Sequence, residues 1–96
     1  MARGLMGRTS LGQDEGMLFL MGRRAEHFFY MRQTRIALDL IFIDYDQVVG
    51  ILTLATFDET KYGIGRPSTC VLEVNGNYAN QHGILAGINV SASSTV

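Results

Sequence analysis

The side chains of this chain that could do chemistry lie beside apolar runs, and Asp39 is the most informative of them. It alternates with Ile41 and Ile43, on a strand face that is otherwise apolar. A carboxylate in that position must be ion-paired, hydrogen-bonded or set at a rim. Two readings follow. In one, Asp39 and an arginine form a latch that fixes strand to loop. In the other, Asp39 and Thr34 line a pocket in which Arg8 or Arg32 holds an anion or a carbohydrate by charge-assisted bonds. Arg3, Gln33, Asn75 and His82 are further polar side chains near the same runs. Glu73 is read as solvent-facing or Arg-paired. Together with Asp39 it would supply two carboxylates for glycoside hydrolysis, but their distance in sequence does not establish proximity.

Other chemistries are less well supported. His27, His82 and Asp39 lack the tight spacing of a metal site, so no metal or cofactor is predicted. Cys70 stands alone, which excludes an internal disulfide and a cysteine-based zinc site. It falls in an apolar strand pattern, where an inert buried thiol is the default. Nucleophilic action with His27 or His82 would need electropositive surroundings. Phe28, Phe29, Tyr30 and Tyr45 offer a stacking platform for bases or sugars, though aromatic core packing is the commoner use.

The element that must position these groups is a hairpin over Ile36–Phe57. Residues Ile36–Ile43 and Val48–Phe57 are apolar and β-branched, and Asp44-Tyr45-Asp46-Gln47 between them suits a turn. Alternation puts Ile36, Leu38, Leu40 and Phe42 on one face and Ala37, Asp39, Ile41 and Ile43 on the other. Both faces are largely apolar, which predicts a central strand covered on two sides. A membrane span fails because Asp39, Asp44 and Asp46 interrupt the run.

Around the hairpin, Thr9–Gly16 reads as a loop, Met17–Met21 as a strand and Gly22–Glu26 as a charged connection. His27–Arg32 reads as an aromatic-rich strand, Asp58–Pro67 as a long, mobile surface loop, and Thr69–Val74 as a strand. Gly63-Ile64-Gly65 lacks the strand–helix context and the lysine of a phosphate loop. Asn75 is expected to cap a short helix over Gly76–His82, stopped by a left-handed Gly83 with Ile84 closing that end. His82 in the last turn suits the helix dipole.

Ninety-six residues, 47% hydrophobic, suit a single domain over residues 1–90 with a frayed tail at 91–96. A net charge of −1 supplies no global field for nucleic acid or an anionic membrane, and neither is expected as a partner. The cations are seven arginines and Lys61. Arginine suits forked recognition of carboxylate or phosphate, but genome composition biases the same count. The N-terminus carries no signal-peptide pattern, which leads to a cytoplasmic expectation, or an exported one if residues are missing from it.

Five ordered blocks now take on meaning together: ARGLMGR at 2–8, DEGMLFLM at 14–21, FYMRQT at 29–34, LDLIFID at 38–44 and VLEVNGNYANQHGI at 71–84. The series resembles the family called domain of unknown function 192, small bacterial and archaeal proteins. The resemblance covers nearly the whole chain. It implies a mainly β fold, a small antiparallel sandwich or barrel with one short C-terminal helix, and no established activity. Members usually have a strand before the ARGLM-like block, whereas Met1 falls directly on it here. A missing edge strand would leave unpaired backbone groups that invite a second copy. The family's aromatic-Met-Lys-Asn-Thr segment stands here as Tyr30-Met31-Arg32-Gln33-Thr34.

The sequence thus predicts a small noncatalytic β-domain that binds a small polar, anionic or carbohydrate-like ligand, or a protein partner. Its pocket is edged by Arg8, Arg32, Thr34 and Asp39. The alternatives are a small hydrolase using Asp39 or Glu73 as acid or base, and a self-associating structural protein that oligomerises through an exposed edge strand.

Overall fold

The computed structural model describes residues 11–29, 36–56 and 60–90. It is mainly β: strands β1 (Gly16–Glu26), β2 (Leu38–Asp44), β3 (Gln47–Leu54) and β4 (Pro67–Asn75) are followed by one short helix, α1 (Tyr78–Gln81). All pairings are antiparallel, in the order β1-β4-β2-β3. The described strands make one open sheet rather than a closed barrel or two facing sheets.

β2 is central, as its two-sided apolar pattern requires. Leu38, Leu40 and Phe42 enter one core with Phe29, Leu54 and Val71. Ile41 and Ile43 enter a second, on the opposite face, with Val48, Val74 and Ala79. In the first core the Phe29 ring stands edge-on to Phe42, with centroids 5.8 Å apart and 80° between planes, a favoured aromatic geometry. Each fully buried side chain of this kind stabilises the fold by about 1.5–3 kcal/mol. The hairpin turn is the two-residue link Tyr45-Asp46, and Val49 is an extra residue in β3 where the register shifts.

Two segments depart from the sequence reading. Gly22–Glu26 is not a connection: β1 continues through it, with the register shift between Leu20 and Ala25 absorbing Met21–Arg24 as a bulge. Bulges re-aim side chains without ending a strand, which is why a charged stretch persists in a sheet. No strand begins at His27. Phe29 forms a single bridge to Tyr62, with both backbone bonds at 2.8 Å, and the rest of that expected strand lies outside the described residues. The loop before β4 is held by Tyr62 and Ile64, which pack against the first core. Among the described residues no helix is long and apolar enough to cross a membrane.

Candidate functional site

One end of the sheet gathers the start of β2 and the ends of β3 and β4. Asp39 lies there, 1% exposed, on the face of the second core. Its Oδ1 accepts the Thr53 hydroxyl at 2.6 Å and the Asn77 N–H at 3.0 Å, and its Oδ2 accepts the Ala79 N–H at 2.9 Å. Among the described residues its partners are a hydroxyl and two backbone amides, and Arg3, Arg8, Arg32 and Arg35, candidates for the expected latch, lie outside the described residues. The reason is local. After β4 the chain turns through Asn77, whose φ is 70°, and starts α1 with no capping side chain of its own. Helix starts leave N–H groups unmet, and a carboxylate from the neighbouring strand meets them, much as an N-cap residue does.

Asn75 is not the cap. It is the last residue of β4, and its Nδ2 donates to the carbonyls of Leu11 and Gly12 at 3.0 and 3.1 Å. The other end of α1 matches its sequence. Gly83 has φ 67°, its N–H meets the Asn80 carbonyl at 3.4 Å, and the Ile84 N–H meets the Ala79 carbonyl at 2.8 Å. This is a Schellman stop, with Ile84 packed against the second core. Gly76 allows the turn to lie against β2: its N–H donates to the Ala37 carbonyl at 2.8 Å, and a Cβ there would sit 3.2 Å from Ala37.

Over this turn opens a groove of about 580 Å³, lined in part by Gln13, Thr53, Asn75, Asn77, Tyr78 and Gln81, with Leu11 and Ile36 among its apolar walls. None of its described lining residues is ionisable in the neutral range. Its polar character comes from four carboxamides and two hydroxyl-bearing residues, Thr53 and Tyr78, and each carboxamide offers both donors and an acceptor. The Tyr78 ring stacks on His82, with centroids 4.0 Å apart. Asp39 does not line the groove; it braces the turn that forms its wall.

The remaining predicted residues are placed as follows. Arg8, Arg32 and Thr34 lie outside the described residues. Glu73 is 5% exposed and partnered. It pairs with Leu40 and Met17, of the first core, whereas Asp39 shares its face with Ile41 of the second. The two acids are thus on opposite faces of the sheet and form no catalytic pair. Burial pushes the Cys70 thiol up, with a smaller opposing influence from the adjacent Thr69, so it is not an activated nucleophile. No group of three or more metal-ligating side chains occurs among the described residues. Gln13, Asn77 and Gln81 escaped sequence reasoning because they converge only through the fold.

With that geometry in place, the family model of domain of unknown function 192, described as "Uncharacterized ACR", matches residues 1–92. The chain belongs to this family. No curated protein matches it. A solved structure of a protein of unknown function from Novosphingobium aromaticivorans is 42% identical with a TM-score of 0.84, over 88% of this chain and 62% of that one. The chain therefore spans about three fifths of that protein's length. A second, from Sinorhizobium meliloti and described as a proposed transcription regulator, is 29% identical with a TM-score of 0.85, over 88% of this chain and 67% of that one.

Proposed function

We propose that the protein is a noncatalytic binding domain whose groove over the Asn75–Tyr78 turn takes a small, neutral, hydroxyl-rich ligand of carbohydrate type. The observation that carries this reading is the groove's make-up: carboxamides and hydroxyls, with no ionised side chain among the described residues of its lining. Carboxamides answer hydroxyls whether these donate or accept, while an anion would call for cationic donors. Among the described residues, the side chains of Gln13, Asn77 and Gln81 make no hydrogen bond, which leaves their donors and acceptors facing a ligand in this reading. Asp39 is committed to three donors and buried, which suits bracing and not proton transfer.

The expectation that Arg8, Arg32 and Thr34 edge the pocket belongs to the same proposal as a second arm. Arg8→Ala and Arg32→Ala would weaken an anionic ligand and spare a neutral one. The test is calorimetric titration with neutral oligosaccharides and, in parallel, their phosphorylated forms. Binding of the neutral set, weakened about tenfold or more by Gln81→Ala, is the expected result. Binding confined to the phosphorylated set would sink the neutral-ligand reading, and no binding of either would sink the carbohydrate reading altogether.

A further inference from the structure

The opposite end of the sheet, at the hairpin tip, places a bulky residue where the two-residue turn requires a left-handed backbone. Tyr45 has φ 56°, a left-handed conformation that a bulky residue adopts at a cost and glycine or asparagine adopts readily. Its ring is nevertheless 74% exposed. The conformation is held from three sides. The Tyr45 N–H donates to Thr69 Oγ1 at 2.8 Å, Thr69 Oγ1 donates to the Ile43 carbonyl at 3.3 Å, and Arg24 Nε lies 2.9 and 3.0 Å from the two Asp44 carboxylate oxygens. The Arg24 guanidinium stands 5.9 Å from the Tyr45 ring centroid. The turn accounts for the positive φ but not for an exposed tyrosine there, and a fixed ring beside a guanidinium is the pairing on which interfaces concentrate binding energy.

The surroundings are apolar and exposed. Leu20 is 79% exposed and lies in register with Cys70, itself paired with Ile43 just before the turn. Ile88 and Val90, each 37% exposed, are tied to the tip by the bonds Val48 N–H to Ile88 carbonyl (3.0 Å) and Val90 N–H to Asp46 carbonyl (2.6 Å). The charges are self-complementary. Among the described residues Arg24 bonds through Nε alone, and Asp46 is exposed with no hydrogen bond or ion pair through its carboxylate. We infer that the hairpin tip is a two-fold interface with a second copy of this chain, in which Tyr45 packs at the axis and Arg24 of each copy meets Asp46 of the other. A two-fold axis needs one patch that carries both halves of each contact, and this corner does. Its exposed side chains present on the order of 500 Å² per copy, at the lower limit for a specific pair, so the dimer is weak.

Sedimentation equilibrium from about 10 µM to 1 mM tests it, a range that brackets weak association. The wild type passes from monomer toward dimer mass as concentration rises. Tyr45→Gly, which suits the positive φ and so keeps the fold, and the surface change Asp46→Lys each raise the dissociation constant about tenfold or more. A chain monomeric at 1 mM overturns the inference, whether or not another protein binds the corner. So does a dimer that neither variant weakens. The groove lies at the other end of the sheet, so either result leaves the ligand proposal standing or falling separately.

Discussion

The two ends of the sheet handle their polar groups in opposite ways. At the groove end, Asp39 is buried and every close polar neighbour serves it: two amides, one hydroxyl, no cation among the described residues. At the hairpin tip, Asp44 and Arg24 form an exposed ion pair beside an exposed ring. All the described Lys and Arg side chains belong to the β1 bulge or to the loop before β4, at or near the tip end. The buried end trades charge for hydrogen bonds and gains a rigid wall. The exposed end keeps its charges in water, where a pair contributes little to stability. One end commits its acid to the fold, while the other leaves its charged pair at the surface.

The largest test of this contrast is Asp39→Ala. It leaves two amides without their acceptor in a buried site and is expected to cost about 3–5 kcal/mol, a large share of the roughly 5–15 kcal/mol available to a domain this size. Asp39→Asn keeps the shape but places an amide donor against one of the backbone donors, for about 2 kcal/mol. Urea unfolding followed by circular dichroism measures both. At the tip, Arg24→Ala should leave the unfolding midpoint unmoved, and a loss there as large as that of Asp39→Ala would abolish the distinction between the ends.

Next comes Gly76→Ala, which sets a methyl group 3.2 Å from both Ala37 Cβ and the Ala37 carbonyl. A loss of about 1–2 kcal/mol is expected from the forced shift, together with weaker ligand binding because the groove wall moves. Unchanged stability would show that the turn is not wedged against β2. The smallest effect is Tyr45→Gly. Relief of the left-handed backbone favours the folded state by about 1 kcal/mol, and the added freedom of the unfolded chain offsets about 0.4–1 kcal/mol of that. Thermal unfolding should therefore find the variant no less stable than the wild type. A clear loss would mean that the exposed ring serves the fold itself.

Much of the scaffold was legible in the letters because it is local. Period-two alternation over Leu38–Ile43 gave the two faces of β2, and Gly83-Ile84 gave the helix stop. The expectation that Asp39 needs partners was sound, but the partners arise from residues 14 to 40 positions away, which no spacing rule reveals. An uncapped helix start is a partner for a buried acid that residue types alone do not announce. β1 hid its length because the residues opposite Ala25 and Glu26 are Ser68 and Pro67, at the far side of the chain. The groove's carboxamides were invisible for the same reason: Gln13, Thr53 and Gln81 come from three separate elements or loops. Arg8, Arg32 and Thr34 lie outside the described residues, so their place at the pocket edge rests on the sequence alone.

The most direct measurement of the ligand-binding claim is an amide NMR titration of the labelled protein with neutral oligosaccharides. The account predicts saturable shifts at Gln13, Thr53, Asn77, Tyr78 and Gln81, while Arg24, Tyr45 and Asp46 stay still. Shifts confined to the hairpin tip, or none at the groove up to millimolar ligand, would contradict it.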